Sequence, residues 1–469
     1  MYMFISALPV ATVIAVLLAG WRSLHAAALG VAVALLVIAA AFAQPASTWL
    51  AAGMHWAPVL LEVLLIVGGG LLLSEVLRAS GAQKALADWL LARAGSGTGA
   101  VLLVVHGITP FAESVTGFGV GVTIGIPLLA HYGLPPRKVV LIGLLGLCAV
   151  PWGSMGPGTL VAATMAGLPF KELGQASALV SVIPFVITGM AAAALASAPG
   201  RRRQALLQGL LSGLALTAAV ALMNSLAGTA PAGALGALLV VGWHLLRLHL
   251  SRSDADKPPL SVPGRRALAA YALLLGGVLA AAALVRALDL PAAWHGLTSP
   301  GLWLLVAAVF FTRGRPARPS LAKVWRSWLQ VAPVTALFIV LGVLMAVSGM
   351  AAQLAQALAR SGPLYLLAAP FVGALGGFVT GSNTGANAMF AATQAEIAQA
   401  LGVPLLPFMA VHNVSASLLL MASPGKVEMA VQLLAQGAAQ RRWVQQSVLM
   451  LDLAAVALMG VLNWSWARA

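Results

Sequence analysis

The sequence predicts an all-α polytopic membrane protein, and three observations carry that prediction. Of 469 residues, 61% are hydrophobic and 8% are charged, and so few charges cannot shield that much apolar surface from water. Apolar runs of roughly 20 residues, enough to cross ~30 Å of hydrocarbon, recur along the chain. The basic residues behind a net charge of +15 cluster in short loops between those runs, at Arg201–Arg203, Arg247 to Arg266, Arg313 to Arg326 and Arg441–Arg442. That is the positive-inside pattern of a bilayer protein; it forms no basic stripe, so nucleic acid is excluded as a partner. A single cysteine, Cys148, excludes an internal disulfide. No basic residue precedes Arg22, so the first run lacks a signal peptide's charged start and reads as a retained helix.

Taken in order, spans are expected near 3–20, 26–43, 56–77, 138–166, 176–197, 205–226, 232–250, 267–288, 298–312, 329–349, 405–436 and 446–466. These give about 12 transmembrane helices, of which 298–312 is short for a full crossing. Two further apolar stretches, 98–130 and 364–400, have polar, Gly-rich middles and read as re-entrant hairpins. Polar backbone at that depth must be buried in protein or line a wet cavity. The 251–266 segment is the one long hydrophilic linker and reads as a solvated cytoplasmic loop.

The two hairpins belong to a repeat. A shift of 268 carries Ser114-Val115-Thr116-Gly117 onto Ser382-Asn383-Thr384-Gly385, Ser80-Gly81 onto Ser348-Gly349, and Pro136 onto Pro404; Pro157-Gly158 falls on Pro424-Gly425 at 267. With the basic loops in the cytoplasm, span 56–77 runs inward and its partner 329–349 runs outward. The repeats are therefore of opposite orientation, the plan of an inverted-repeat secondary transporter with its site at the repeat interface. The chain divides into N-terminal helices (1–55), a first repeat (56–200), scaffold or homodimerisation helices (201–324), a second repeat (325–440) and a C-terminal helix (441–469).

Candidate site residues follow from the interruptions. Ser382, Asn383 and Thr384 can cap a half-helix after Gly381, and the free amides and positive dipole end beside them suit a carboxylate. Ser114, Thr116 and Gly117 offer the same at the first tip, and Asn387 adds a polar group below the second. Each hairpin is followed by a span broken in its middle, one at Trp152 to Thr159 with Ser154, the other at Ala422 to Lys426. Intramembrane ionisable groups are costly and usually functional. Lys426 could neutralise a substrate carboxylate. Glu113, beside the first tip, and His106 and His412 are candidates for proton coupling; Glu62, Glu75, Glu428 and Asp452 are alternatives. No H-E-x-x-H, G-x-S-x-G or P-loop spacing occurs, so no enzyme, cofactor or metal centre is expected. A channel would need a continuous polar path, whereas inverted hairpins favour one occluded site.

At these motifs the chain resembles the lactate permease family of carboxylate symporters. The stretch PFAESVTGFGVGVTIGIPLLAHYGLPP, the segment AVPWGSMGPGTL, the run Gly381-Ser382-Asn383-Thr384 with Asn387, Phe390 and Gln394, and His412-Asn413-Val414 carry the resemblance. Ser114-Val115-Thr116 and Ser423 to Lys426 depart from the family's pattern. The resemblance implies import of a small 2-hydroxymonocarboxylate such as lactate or glycolate with H+ across the bacterial cytoplasmic membrane, with Asn413 joining the substrate-binding set. Sodium as the coupling ion stays open, because the same hydroxyl, amide and carbonyl oxygens suit Na+.

Overall fold

The computed structural model describes residues 2–249, 259–313, 319–434 and 438–466, so part of the 251–266 linker, residues 251–258, lies outside the described residues. Among the described residues every regular element is helical. The helices match the expected spans closely: Tyr2–Leu18, Ser23–Ala41, Arg202–Ala227, Thr229–His249, Val262–Ala287, Leu321–Ser348 and Ala438–Trp466. Among the described residues eleven helices are long and apolar enough to cross a bilayer. Two expectations change in detail. The third helix starts ten residues early and covers Ala46–Ala79, and the 176–197 span is a pair, Phe170–Val180 and Val182–Ala196, bent by 41°. The 298–312 span is a 13-residue helix, Pro300–Thr312, begun by the Ser299 hydroxyl accepting from the Leu302 amide.

The first helices of the two repeats run antiparallel. At one end Glu75 pairs with Lys323 at 3.1 Å; midway the Trp328 indole donates to the Leu64 carbonyl; at the other end Gln44 donates to the Ser348 carbonyl. Each long helix ends in a left-handed glycine, Gly81 (φ 71°) and Gly349 (φ 86°). A short helix follows each, Ala82–Ala94 and Met350–Ala359, both well under the ~20 residues a crossing needs. The hairpins therefore begin from opposite ends of the molecule. The first rises through Thr98–Leu103, a π-turn at Val104–Ile108 and Thr109–Thr116, then returns as Val120–Ala130. The second is Tyr365–Thr380 followed by Asn383–Ala400.

The structure corrects the register at the tips. Each rising helix ends in Thr-Gly, Thr116-Gly117 and Thr380-Gly381; both glycines have positive φ, and both threonine hydroxyls donate to the carbonyl four residues back. Counted from the break, Glu113 corresponds to Gly377, not Gly381. The Ser-x-Thr-Gly match paired residues before one break with residues after the other. Small polar residues flank both sides of each tip, so sequence similarity alone could slip by a turn. The Pro157/Pro424 match holds, since both prolines open the helix after a broken span, where a missing N–H costs nothing.

Scaffold helices pack through small residues, as lipid-embedded helices must without a hydrophobic drive between them. A Cβ on Gly209 would collide with the Gly189 backbone, and one on Gly213 would lie 2.7 Å from the Phe185 carbonyl oxygen. Helices Val182–Ala196 and Arg202–Ala227 thus touch backbone to backbone. Exposed leucines such as Leu36, Leu50 and Leu226 form the surface that lipid would cover.

The antiparallel arrangement makes a topological prediction. Single cysteines at Ser96 and Gln399, in a Cys148→Ala background, label from opposite membrane faces with an impermeant thiol reagent. Labelling of both from one face removes the inverted orientation.

Candidate functional site

Four helix interruptions converge on one cavity of about 370 Å³. The first tip contributes Glu113, Gly117 and Phe118; the second, Thr380, Gly381, Ser382, Asn383 and Thr384. The first broken span gives Gly153, Ser154, Pro157 and Gly158, and the second gives Leu420 and Lys426. The wall is completed by Val67 on helix Ala46–Ala79 and by Gln330, Thr335 and Phe338 on helix Leu321–Ser348. Sequence reasoning missed Gln330, Thr335 and Thr380; the available signal was a polar residue inside an otherwise apolar span.

At the second tip Ser382 is the N-cap, its hydroxyl accepting from the Gly385 amide at 3.2 Å. The Ser382 carbonyl takes the Ala386 amide. The amides of Asn383 and Thr384 come first in this helix and have no partner within it, as at any helix start. They face the cavity at the positive end of an 18-residue helix. The Asn383 side-chain nitrogen is buried without a partner, as are the hydroxyls of Ser154 and Ser423. Ser423 lies behind Gly381, where a Cβ would come within 3.4 Å of its oxygen.

The first tip is arranged differently. The Glu113 carboxylate accepts from the Gly119 amide at 3.0 Å and the Gly121 amide at 3.1 Å, so it caps the returning helix Val120–Ala130. The proton-coupling candidate Glu113 is thus held by two backbone amides of its own tip. Ser114 and Thr116 do not reach the cavity: Thr116 bonds the Ala112 carbonyl, and Ser114 packs toward Gly233, where a Cβ would lie 2.7 Å from its oxygen. Lys426 does reach it. Its amine comes up against the first tip, 3.4 Å from where a Gly119 Cβ would be, and makes no ion pair among the described residues.

Asn387 and Asn413 stand behind the site and hold it. The Asn387 side-chain nitrogen donates to the side-chain Oδ1 of Asn383 at 2.9 Å and to that of Asn413 at 3.0 Å. The Asn413 amide donates to Thr159 and Ser177, both at 3.0 Å. Thr159 in turn donates to the Pro151 carbonyl at 2.7 Å, one of the groups freed by the helix break. The first broken span is more irregular than its sequence suggested. It is 3-10 and non-helical from Gly146 to Met155, with Ser154 (φ 42°) and Met155 (φ 65°) in left-handed geometry. Phe118 (φ 56°) shares that geometry at the first tip. Such residues cost about 1–3 kcal/mol each and persist where surroundings over-determine them.

The two histidines lie elsewhere. His106, in the π-turn, is bonded to Ser212 at 2.9 Å and Thr188 at 3.3 Å, and Ser212 reaches His244 at 3.1 Å. His412 packs against Gly373 on the rising arm of the second hairpin, with neither ring nitrogen bonded. Neither lines the cavity.

Interrupted helices gathered around a polar cavity, in an all-helical multi-pass protein, define a membrane transporter of the broken-helix class. The family model for L-lactate permease matches residues 3–253 and 286–462, and the chain belongs to that family of transporters. The L-lactate permease of Streptococcus iniae is 26% identical over 342 residues, covering 65% of this chain and 70% of that protein. That of Escherichia coli (strain K12) is 42% identical over 83 residues, 18% of this chain and 15% of that one. Among solved structures, the YdaH transporter of Alcanivorax borkumensis aligns over 86% of this chain and 85% of its own, with TM-score 0.45 and 17% identity.

The contact between halves yields a prediction. A Cβ on Gly158 would sit 2.5 Å from the Asn383 side-chain nitrogen. Gly158→Ala therefore displaces Asn383 and weakens substrate binding roughly 10-fold or more, the cost of one mis-set hydrogen bond to a charged group. Calorimetric titration of detergent-purified protein with lactate checks it; unchanged affinity would separate Asn383 from the ligand.

Proposed function

We propose that this protein imports a small monocarboxylate, lactate, glycolate or a similar 2-hydroxy acid, by proton symport across the bacterial cytoplasmic membrane. Alternating access runs around the cavity between the tips. The observation that carries the reading is the second tip. Asn383 and Thr384 with their first-turn amides, the partnerless Asn383 nitrogen and Lys426 belong to the walls of one cavity, into which a small carboxylate would fit. Hydroxyls of Ser154 and Thr384 lie within the same cavity walls and suit a 2-hydroxyl group. Family membership, and relatives named L-lactate permease, support the substrate class. The opposed hairpins and the antiparallel long helices support an inverted repeat, whose two halves can rock about a fixed site.

Sodium coupling is the second reading. The Ser, Asn and Thr oxygens at the tips, among them those of Ser382 and Thr384, are hard oxygen donors of the type Na+ prefers. Transport of a monocarboxylate panel into proteoliposomes under a pH gradient alone, then under a sodium gradient alone, decides between the two. Accumulation under the pH gradient supports the proton reading, and accumulation under sodium alone replaces it.

Asn383→Ala, Ser382→Ala and Lys426→Gln each lose a donor or positive partner of the carboxylate. One hydrogen bond to a charged group is worth roughly 1.5–3 kcal/mol, or ~10- to 150-fold in affinity. All three variants are expected to insert normally and to lose uptake. Near-normal uptake in the Asn383 and Ser382 variants overturns the site assignment.

A further inference from the structure

A second cavity, of about 500 Å³, lies directly behind the first broken span. Neighbouring residues line opposite cavities: Ser154 the first and Met155 the second, Gly158 the first and Leu160 the second, Val67 the first and Ile66 the second. One layer of side chains, Ile66, Met155 and Leu160, therefore partitions the two. The second cavity opens among the turns at 227–231 and 295–300 and the connection before Phe170. Those turns are at the far ends of helices whose other ends carry Arg202, Arg265 and Arg313. By the positive-inside rule it faces outward. The first cavity reaches Ser23, just after Arg22, and Gln330, near the Lys323 end of its helix, so it extends toward the cytoplasm.

Glu62 stands in the wall of this outer cavity. Both of its oxygens lie within reach of the Ser299 hydroxyl, at 2.9 and 2.8 Å. Ser299 in turn accepts the Leu302 amide, which fixes the hydroxyl as a donor to Glu62. Its partners, the Ser299 hydroxyl and the Gly301 backbone at the start of helix Pro300–Thr312, are both neutral, so no cation holds Glu62. The other acids near the membrane interior are placed differently. Glu113 caps a helix with both oxygens, Glu75 is clamped by Arg78 and Lys323, and Glu428 pairs with Arg441. Asp452 is buried in the packing of the last helix and lines neither cavity. The titratable groups sharing the outer cavity with Glu62 are Lys171, from the start of helix Phe170–Val180, and His295, from the turn Ala292–Thr298. Neither is within ion-pair distance of Glu62 among the described residues, and helices Val262–Ala287 and Thr229–His249 present only uncharged side chains there.

We propose that this cavity is the outer half of the transport path and that Glu62 is the group that takes up the co-transported proton there. One H+ from the outer medium adds to a carboxylate oxygen while the other oxygen keeps the Ser299 hydrogen bond. The proton leaves toward the central cavity when the Ile66–Met155–Leu160 partition parts. Lys171 is the cation placed to draw the substrate anion into the same space. The inference rests on the proton-symport reading, and the experiment separates the two.

Wild-type protein, Glu62→Gln and Glu113→Gln are compared in proteoliposomes for lactate accumulation under a pH gradient and for counterflow at equal pH. Glu62→Gln is expected to lose accumulation and its pH dependence yet keep counterflow, because the amide stands in for the protonated acid. Glu62→Asp is expected to recover part of the accumulation. If wild-type protein itself fails to accumulate under a pH gradient, the symport reading falls. If wild type accumulates and Glu62→Gln does so equally, Glu62 is not the proton carrier. Glu113→Gln losing accumulation while Glu62→Gln keeps it would return the role to the first tip. Ala282→Cys, in a Cys148→Ala background, tests the cavity's side independently: an impermeant thiol reagent added outside right-side-out vesicles is expected to label it. Labelling only from inside overturns the outer assignment.

Discussion

The site depends on a chain of buried hydrogen bonds from Asn383 through Asn387 and Asn413 to Thr159 and the Pro151 carbonyl. Every helix break in a membrane frees backbone groups that cost several kcal/mol each if left in hydrocarbon. This protein makes four breaks and answers them jointly. Thr159 satisfies the freed Pro151 carbonyl within the first broken span, and Asn413 of the second repeat holds Thr159, so the two halves are tied at the break. The tips and the breaks are thereby held at one place.

The two tips illustrate how one motif takes two roles. Both present a half-helix start toward the cavity. At the first, the chain's own Glu113 side chain fills the amide cradle, accepting from Gly119 and Gly121. At the second, a serine cap takes one amide and leaves two facing the space. Lys426 comes up against the first tip, beside Gly119, without an ion pair among the described residues.

Strain is concentrated at the same place. Phe118, Ser154 and Met155 account for three of the four described non-glycine residues with positive φ, and all three lie at the tip or break where the two cavities approach. A backbone so constrained has few alternative shapes. It can serve as a thin wall between two compartments.

Much of this was legible in the sequence. Composition and basic loops set the class and the spans, because a bilayer demands about 20 apolar residues per crossing and retains arginine on one side. The Gly/Pro interruptions marked both tips and both breaks, because only such residues end a helix inside a membrane. Ser382, Asn383, Thr384, Ser154, Gly117 and Lys426 were visible for that reason. What only the tertiary structure decided was which side chains face the shared space. Glu113 turned back onto its own tip, Ser114 and Thr116 turned away, and the two histidines packed into other interfaces. Those outcomes depend on the direction of a side chain relative to a neighbour hundreds of residues distant. The true register of the tips was hidden likewise, because small polar residues surround each break and only the turn geometry distinguishes one side from the other.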